Sequence, residues 1–394
     1  MIETISLWVF WAAALALLHV YGGYEMLLRL AVRLCRPTSG MQPAPEQERP
    51  TVSVLLTVHN EQDNVVPRLE NLLQQDYPAD RLEIVVASDA SDDDTEALAA
   101  AFAQAHPGSV IRVLAVAARG GKSAAQNHAL PELSGEVVVL TDAATRFAPD
   151  FLSHMTAPFA DPAVGCVSGQ VVFAQEGSAV SQGQQRYWRS EMTLRACESQ
   201  LGILAVASGQ AMAFRRRLFR PLPLHVGDDC IIPLDVAAAG ARVVHQPAAL
   251  AYDVNETRTA RELRARARMT ARNWVGTWRH PRLLSPVGHP GYCLALWSHK
   301  LMRWLSPVFL VLLALASLLL VPRPFYSLCA LLGVLLLVLA GLGFAAERGH
   351  GPQRGAWRIL PRFAFAFVVA QLGFLWGLWI AARGRRILAY SNKG

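Results

Sequence analysis

The stretch VSVLLTVHNE, residues 52–61, decides the fold class of this chain. It begins as an apolar run typical of a buried strand, and the polar residues His59, Asn60 and Glu61 follow without a spacer. Residues 62–76 then have the apolar periodicity of a helix. A buried strand followed by a helix predicts the first half of a β-α-β unit.

The same order repeats along the middle of the chain, where LEIVVAS, IRVLAVA, GEVVVLTDA and VGCVSGQVVF form further strand-like runs. Helical patterns of about 10–15 residues are typical of such units. We therefore predict an α/β domain over residues 50–280, Rossmann-like, with a mostly parallel sheet. Ligands of these sheets bind outside the carboxyl ends of the strands, so polar residues at those ends are the candidates for a site.

The composition predicts membrane helices on both sides of this domain. The chain has 394 residues, of which 53% are hydrophobic, and a mean hydropathy of +0.26, which is high for a soluble enzyme. A transmembrane anchor is predicted over residues 1–36. About three further spans are predicted within residues 305–394, because each of their runs is near the ~20 residues that cross the hydrocarbon. These runs are 305–321, 325–345 and 363–382.

The charge pattern predicts how the chain lies in the membrane. The amino terminus is acidic, and Arg29, Arg33 and Arg36 follow the first apolar run, so we expect an uncleaved anchor with a cytoplasmic middle domain. Residues 285–304 read as an interfacial amphipathic helix, since His299 stands among Trp and Leu there. Scattered cysteines suit a reducing cytoplasm. We expect a multi-pass protein of a bacterial inner membrane.

The net charge of +7 favours a membrane or phosphate partner over nucleic acid. Arginines cluster beside the apolar spans, and no basic patch is interleaved with aromatics as in nucleic-acid modules. The basic loop at residues 347–362 and the basic tail at residues 383–394 conflict with a single span between them, so the span count, about four, stays open by one.

Acidic residues follow two of the strand-like runs. In SDASDDDT, Asp92 or Asp93 can cap the next helix, whereas Asp89 ends the strand itself and can accept hydrogen bonds from a nucleobase or a ribose. In VVVLTDAATRF, Asp142 is either a strand-end cap or a metal ligand. Two alanines follow Asp142 where a second acid would complete a cation site.

Two further motifs can serve phosphate binding or proton transfer. RGGKSAAQNHAL lacks the spacing of a P-loop, but its Lys122 begins a helix and can meet a phosphate. Asp228 and Asp229 precede an apolar helix. One of them can be an N-cap, or the pair can raise one another's pKa and supply a general base; the spacing supports both interpretations equally.

The stretch RELRARARMTARNW carries arginines at i, i+4 and i+8 of one helical face, namely Arg264, Arg268 and Arg272. A solvated or membrane-surface basic face is the ordinary interpretation. The functional alternative is a pyrophosphate partner, because guanidinium groups bind charge on a leaving group. In YWRSEMTLRACESQLG, intrahelical ion pairs among Glu191, Arg195 and Glu198 explain the charges.

Taken in order, these motifs resemble the family 2 glycosyltransferases of the membrane-embedded, cellulose-synthase-like and hyaluronan-synthase-like group. SDASDDDT stands for the family's DGSxDGT turn, RGGKSAAQNHAL for GGKxxALNxAL, TDAA for DxD, GDDC for the ED motif and TARNW for QxxRW. The resemblance implies an A-type nucleotide-sugar transferase fold flanked by transmembrane helices, and an inverting transfer from a UDP-sugar to a lipid-linked or polysaccharide acceptor.

The resemblance also assigns roles to individual residues. The implied donor-binding residues are Thr57, Glu61, Asp89, Lys122, Arg268 and Arg272. Asp142 would hold a divalent cation, Mg²⁺ or Mn²⁺, on the diphosphate. Asp229, with Asp228 beside it, would be the catalytic base, and Trp274 would contact the acceptor. Membrane lipids and subunits of an exopolysaccharide complex are the other implied partners.

Two departures from the family pattern qualify the expected activity. The second acid of DxD is replaced by Ala144, so we expect the cation to be weakly bound. QxxRW has Thr270 and Asn273 in place of its glutamine and arginine, which favours single or few transfers over processive synthesis. The alternative function is a catalytically weak, nucleotide-sugar-binding subunit or scaffold of an exopolysaccharide synthesis complex.

Overall fold

The computed structural model of the protein describes residues 1–35, 49–173, 179–253, 259–348 and 359–385. Within them, the middle of the chain forms one eight-stranded sheet in the order β3-β2-β1-β4-β7-β6-β8-β5. The strands are β1 (Val52–Val58), β2 (Leu82–Ser88), β3 (Val110–Ala115), β4 (Val137–Asp142), β5 (Arg146–Phe147), β6 (Val164–Phe173), β7 (Met212–Arg215) and β8 (Arg242–Asp253).

The sheet is parallel on the side that carries the candidate residues. Strand β1 pairs in parallel with both β2 and β4, so Thr57 lies opposite Asp142 and Val58 lies opposite Ser88. Strand β7 runs antiparallel between β4 and β6, and β5 runs antiparallel to β8. The predicted α/β fold is confirmed, with a mixed sheet whose parallel half brings the strand ends to one edge.

Helices cover both faces of the sheet. They are α3 (Gln62–Leu73), α4 (Thr95–Ala105), α5 (Lys122–Ala129), α6 (Phe151–Thr156), α7 (Ala179–Gln200), α8 (Asp228–Ala238) and α9 (Thr259–Thr277). On β1, Leu56 faces one core with Leu69 of α3, while Leu55 faces the other with Ile231 of α8. Each fully buried aliphatic side chain contributes roughly 1.5–3 kcal/mol. Burial on both faces explains why β1 is mostly apolar and lacks a regular alternation of apolar and polar residues.

Three helices of the described chain are long and apolar enough to cross a membrane, or up to four if a bent pair forms one span. The first spans Ile2–Cys35 and comprises α1 (Ile2–Leu18), a π-helical turn (His19–Gly23) and α2 (Tyr24–Cys35). The others are α13 (Pro324–Glu347) and α14 (Ile359–Ala382). The bent pair joins Pro290–Trp304 to α12 (Ser306–Leu319) at 61°.

Residues 285–304 have more structure than the predicted single amphipathic helix. They contain α10 (Pro290–Ala295), a π-helical turn (Leu296–Leu301) and α11 (Met302–Trp304). The basic loop and the basic tail that bear on the span count lie largely outside the described residues.

One buried carboxylate joins this bent segment to the sheet domain. Glu191 of α7 is 1% exposed and accepts hydrogen bonds from His299, Lys300 and Arg303 at 2.8–2.9 Å, besides the predicted intrahelical partner Arg195. The predicted pair of Glu191 and Arg195 within α7 is present, but it explains only part of the charge around Glu191. The other cations come from a distant segment of the chain.

The second carboxylate of α7 extends this junction to the amino-terminal helix. Glu198 accepts hydrogen bonds from the Tyr24 hydroxyl and from the His299 ring, each at 2.9 Å. Two segments, the amino-terminal helix and the bent segment, are thus held against one helix of the sheet domain by charged hydrogen bonds.

We predict that Glu191→Ala lowers the free energy of unfolding by about 3–5 kcal/mol, because it leaves several buried cations without their carboxylate. Burial alone would raise the pKa of Glu191, but His299, Lys300 and Arg195 hold it well below the usual value. The stability from this carboxylate is therefore present above the usual Glu pKa and lost as the pH falls through the depressed one.

Thermal or denaturant unfolding in detergent, at neutral and acidic pH, measures this loss. The matched control is Glu132→Ala, which removes a half-exposed partner of Arg112 and should cost less than about 1 kcal/mol. Equal losses from the two substitutions would contradict the prediction.

Candidate active site

A cleft of about 450 Å³ opens at the carboxyl edge of β1, β2 and β4. It brings together the predicted donor, metal and base residues from seven elements and loops of the sheet domain. These lining residues are Thr57, Glu61, Asp89, Lys122, Asp142, Asp228, Asp229, Arg268 and Arg272. Trp274 is the predicted site residue that this lining does not include.

Asp89 fixes the Gly-Gly-Lys turn. Its carboxylate accepts hydrogen bonds from the backbone N–H of Gly120 at 2.8 Å and of Gly121 at 2.9 and 3.0 Å. Gly121 has a φ of +87°, a conformation that side chains with a Cβ rarely adopt. The strand-end acid therefore sets the position from which Lys122 starts α5.

The strand ends themselves turn sharply. Asn60 has a φ of +56° and Ala90 a φ of +51°, both in the left-handed region. Ala90 stands where the family's DGSxDGT turn has glycine, so this chain keeps the turn at a cost of about 1–2 kcal/mol. The two turns are joined, because the Asn60 backbone N–H donates to the Ser91 hydroxyl at 3.2 Å.

Lys122 lies between two carboxylates. Its ammonium is 2.8 Å from Asp142 Oδ1 and 3.1 Å from Asp228 Oδ2. Burial alone would lower the pKa of Lys122, but the charges of Asp142 and Asp228 raise it above the usual value. A fixed positive charge is thus held at the end of β4, where an anionic ligand in the cleft would meet it.

The two acids at the start of α8 have opposite environments. Asp228 accepts a hydrogen bond from Gln126 at 3.0 Å; although burial opposes ionisation, Lys122 and Gln126 hold the pKa of Asp228 below the usual value. Burial, and then the charge of Asp228, raise the pKa of Asp229. A pair that splits in this way provides one permanent anion and one carboxylate suited to take a proton.

The arginines of α9 divide between the cleft and the surface. Arg268 and Arg272 line the cleft, whereas Arg264 is exposed. Arg272 donates to the Val226 carbonyl at 2.5 Å and to the Ser123 hydroxyl at 3.2 Å. One helical face therefore supplies two guanidinium groups to the site, and one of them is braced against the start of α5.

The residues of the altered QxxRW motif point in three directions. Thr270 is 2% exposed and packs against Gly377 of α14, where an added Cβ would come within 2.6 Å of it. Asn273 lines the cleft. Trp274 packs on Trp304 and Trp278, with ring centroids 6.3 and 6.0 Å apart, which explains its absence from the cleft lining.

Some residues of the cleft were not identified from the sequence. They are Gln210, Asp253 and Asn273, and Gln126 behind Asp228. Two of these positions carried a usable signal. Asp253 ends a strand as Asp89 and Asp142 do, and Gln126 lies four residues after Lys122 on the same face of α5.

Oxygen ligands for a divalent cation are present in the cleft. Asp142 offers one carboxylate, Ala143 and Ala144 offer none, and Asp253 lines the same space. The described residues contain no group of three or more His, Cys, Asp or Glu side chains placed to hold a metal. Carboxylate oxygens suit Mg²⁺ or Mn²⁺, so the residues fit a cation that draws its remaining ligands from a bound molecule.

The fold and the cleft together define a transferase of nucleotide sugars with the A-type fold. A solved mannosyltransferase from Pyrobaculum calidifontis, in complex with GDP-Man and Mn²⁺, is similar over 94% of this chain and 99% of its own, with 25% identity and a TM-score of 0.67. The likeness extends beyond the sheet domain into the apolar helices.

The chain belongs to family 2 of the glycosyltransferases. The model of the family described as "Glycosyltransferase like family 2" matches residues 50–277. The predicted family, fold and enzyme class are therefore confirmed, and residues 50–277 form a family 2 glycosyltransferase domain.

Curated relatives are enzymes of glycan and glycolipid synthesis. An N-acetylglucosaminyltransferase of Rhizobium meliloti is 26% identical over 254 residues, 59% of this chain and 59% of its own length. A beta-monoglucosyldiacylglycerol synthase of Trichormus variabilis is 27% identical over 192 residues, 47% of this chain and 40% of its own. The chain therefore spans about half the length of these relatives. The apolar helices and a glycolipid-making relative together indicate membrane association.

We predict that Gly377→Val lowers both the transfer rate and the free energy of unfolding, the latter by about 1–3 kcal/mol, because the new side chain collides with Thr270 and the Ala267 carbonyl. Close packing of α14 on α9 depends on this glycine, because small residues let two helix backbones approach closely. Unfolding in detergent and initial transfer rates measure the two effects.

The matched control is Gly333→Val in α13, where nothing lies within 4 Å of an added Cβ. It should leave both quantities close to those of the wild type. If Gly377→Val behaves like the control, the contact between α9 and α14 does not position the site.

Proposed function

We propose that this enzyme moves one sugar, with inversion, from a UDP-sugar to a hydroxyl of a lipid or lipid-linked glycan at the cytoplasmic face of a bacterial inner membrane. The observation that carries the proposal is the split acid pair: Asp228 is bonded to Lys122, while Asp229 is left with a raised pKa in the same cleft.

The donor's diphosphate would lie among the fixed cations. Lys122, Arg268 and Arg272 reach the cleft from two helices, and guanidinium and ammonium groups bind phosphate oxygens with charge-assisted hydrogen bonds. The nucleoside would lie near Thr57, Glu61 and Asp89. The UDP form is the expected donor, and the GDP-Man of the mannosyltransferase makes a guanine nucleotide the first competitor to test.

Transfer would be a single displacement. Asp229 accepts the proton of the attacking hydroxyl as its oxygen bonds to the anomeric carbon, and the bond from that carbon to the diphosphate breaks. Charge that develops on the leaving diphosphate is stabilised by Arg268, Arg272 and Lys122. One displacement at one face of the sugar inverts its configuration.

A divalent cation would be held by Asp142 and the donor's diphosphate oxygens. When bound, it supplies Lewis-acid neutralisation of the diphosphate. Lys122 already bonds to Asp142, so the free site has a charge-balanced carboxylate and a reduced attraction for metal.

A membrane acceptor is supported by a small cavity on the far side of Asp229. This cavity, of about 20 Å³, is lined by Leu296, Lys300 and Trp304 of the bent segment together with Asp229 itself. Trp274, the predicted acceptor residue, packs on Trp304 and would support this wall from behind. A space of this size holds about one water molecule, so its support for the proposal is that it lies between the proposed base and the bent segment that leads into the apolar helices.

The departures in DxD and QxxRW favour single or few transfers. The specific observation behind the alternative, a weakly catalytic subunit or scaffold of an exopolysaccharide complex, is Ala144 in place of the second acid. The two proposals differ in whether the purified protein releases nucleotide in a manner that depends on Asp229.

We predict that Asp229→Asn lowers the transfer rate by about 10²–10⁴-fold, because the general base is lost while the shape is kept. Because burial and Asp228 raise the pKa of Asp229, the wild-type rate should fall with decreasing pH well before an ordinary carboxylate is protonated. The assay is nucleotide release and glycolipid formation in detergent–lipid micelles, with UDP-Glc, UDP-GlcNAc, UDP-Gal, UDP-GlcA and GDP-Man.

Asp235→Asn on the same helix is the control. Asp235 does not line the cleft, and its carboxylate lies 3.1 Å from the His280 ring. Release that is equally fast in Asp229→Asn and the wild type rejects the proposed base. If no donor is consumed by the wild type and Asp229→Asn leaves cellular glycan unchanged, the scaffold alternative is favoured.

We predict weak Mn²⁺ binding without donor, and binding at least about tenfold tighter with UDP present, a gain that Asp142→Ala removes. The physical reason is that one carboxylate and the diphosphate together provide the ligands. Electron paramagnetic resonance of free Mn²⁺ measures binding without any turnover.

Asp150→Ala, a half-exposed carboxylate that pairs with His154, is the control for general charge effects. Tight binding of Mn²⁺ to the protein alone, unchanged by UDP, would show that Asp142 and the diphosphate are not the main ligands.

A further inference from the structure

We propose that Asn273 is a positioning residue whose side-chain N–H holds the Asp229 carboxylate in the orientation needed to take the acceptor's proton. The inference rests on the proposed function, since it assumes that Asp229 is the base. Asn273 stands where the family motif QxxRW has its arginine, so the residue gives this chain a different group beside its base.

The geometry places the amide directly on the acid. Asn273 Nδ2 lies 3.3 Å from Asp229 Oδ2 and donates to it. The backbone of Asn273 is itself fixed, because its carbonyl accepts hydrogen bonds from the Thr277 hydroxyl at 2.8 Å and from the Cys230 thiol at 3.6 Å. Helix α9 thus holds the amide, and the amide holds the carboxylate at the start of α8.

Gly227 is the residue that permits this approach. A Cβ at position 227 would collide with Asn273 Oδ1 and with Asp229 Oδ1. The φ of Gly227 is −72°, which any residue can adopt, so close contact and not backbone conformation requires glycine here. The base, its amide partner and the glycine therefore form one packed unit.

Asn273 and Asp229 both line the donor cleft and the small cavity behind it. They form the wall between the two spaces, where the acceptor oxygen would meet the anomeric carbon. In the described part of the chain, Asn273 Oδ1 is buried and has no hydrogen-bond partner. That oxygen packs against Gly227, so Nδ2 is the atom of the amide that acts on Asp229.

The Asn273 amide is uncharged, unlike the arginine that the QxxRW motif has at this position. The charged groups that face Asp229 are Asp228 on its own helix, Arg272 on α9 and Lys300 on the bent segment. Arg195 of α7 lines the same small cavity, and Lys122 of α5 reaches Asp229 only through Asp228. An arginine at 273 would add a cation in direct contact, favouring the ionised acid and weakening it as a base.

The test compares the acidic limb of the pH profile of kcat/KM in three variants at this position. Asn273→Ala removes a donor to the carboxylate, so the pKa of Asp229 rises and the limb moves to higher pH. Asn273→Asp, of nearly the same size, also adds a like charge and should move the limb further up. Asn273→Arg should move it down. A role in packing alone predicts no ordered shift of this kind.

The expected loss in kcat for Asn273→Ala is about tenfold, with the donor KM nearly unchanged. Arg264→Ala, exposed on the same helix, is the control and should leave the profile unchanged. If Asn273→Arg does not fold, the isosteric Asp variant and the Ala variant still give two graded shifts.

The outcomes separate this inference from the proposed function. If the wild type transfers sugar and Asp229→Asn does not, but the limbs of the Asn273 variants coincide with that of the wild type, the positioning role is overturned and the proposed function stands. If the wild type transfers no sugar, the proposed function fails and the inference fails with it.

Discussion

Most of the site depends on two salt bridges, which join Lys122 to two carboxylates from different parts of the fold. Asp142 comes from the end of β4 and Asp228 from the start of α8, and the ammonium lies within 3.1 Å of both. Without the lysine, the carboxylates of Asp142 and Asp228 would repel each other, and Asp228 would also repel Asp229. With Lys122 between them, Asp228 stays ionised, while burial and then the charge of Asp228 raise the pKa of Asp229. Lys122 and Gln126 thus favour the ionised form of Asp228, and Asp229 is the acid that we propose as the base. Asp89 fixes the position of Lys122 at the start of α5, because it accepts hydrogen bonds from the Gly-Gly turn just before it.

The sequence predicted this part of the site because parallel strands obey a simple rule. An apolar run followed by a polar residue indicates the carboxyl end of a buried strand, and those ends meet at one edge. Asp89 and Asp142 were identified in this way, whereas Asp253 was missed although it ends β8 in the same manner. The division of labour between Asp228 and Asp229 was not predictable, since it depends on Gln126 and Lys122, which are about a hundred residues away along the chain.

The sequence also could not predict which neighbouring element each helical side chain faces. Successive residues of a helix are rotated by about 100°, so a motif that reads as one unit can face several neighbours. Asn273 faces Asp229, Trp274 faces Trp304, and Thr270 faces α14. The partners of Glu191 were hidden for a similar reason: Arg195, four residues on, was visible, but His299, Lys300 and Arg303 lie in another segment. That junction ties the apolar helices to the sheet domain and could be found only in three dimensions.

The two replacements in the QxxRW motif, Thr270 and Asn273, have a common structural explanation in the position of α9. A short side chain at Thr270 and no side chain at Gly377 let α9 lie close against α14, and a glutamine at 270 would need space that this contact fills. With α9 held there, Asn273 reaches Asp229 past Gly227, where a longer arginine would have to extend elsewhere or carry its charge onto the base. The replacements at 270 and 273 are thus coupled through one helix position. A site built this way keeps what one transfer needs, a base and a cationic place for the leaving diphosphate. Thr270 and Asn273 are shorter than the glutamine and arginine of the motif, and we infer from their shorter reach that the enzyme makes single or few transfers.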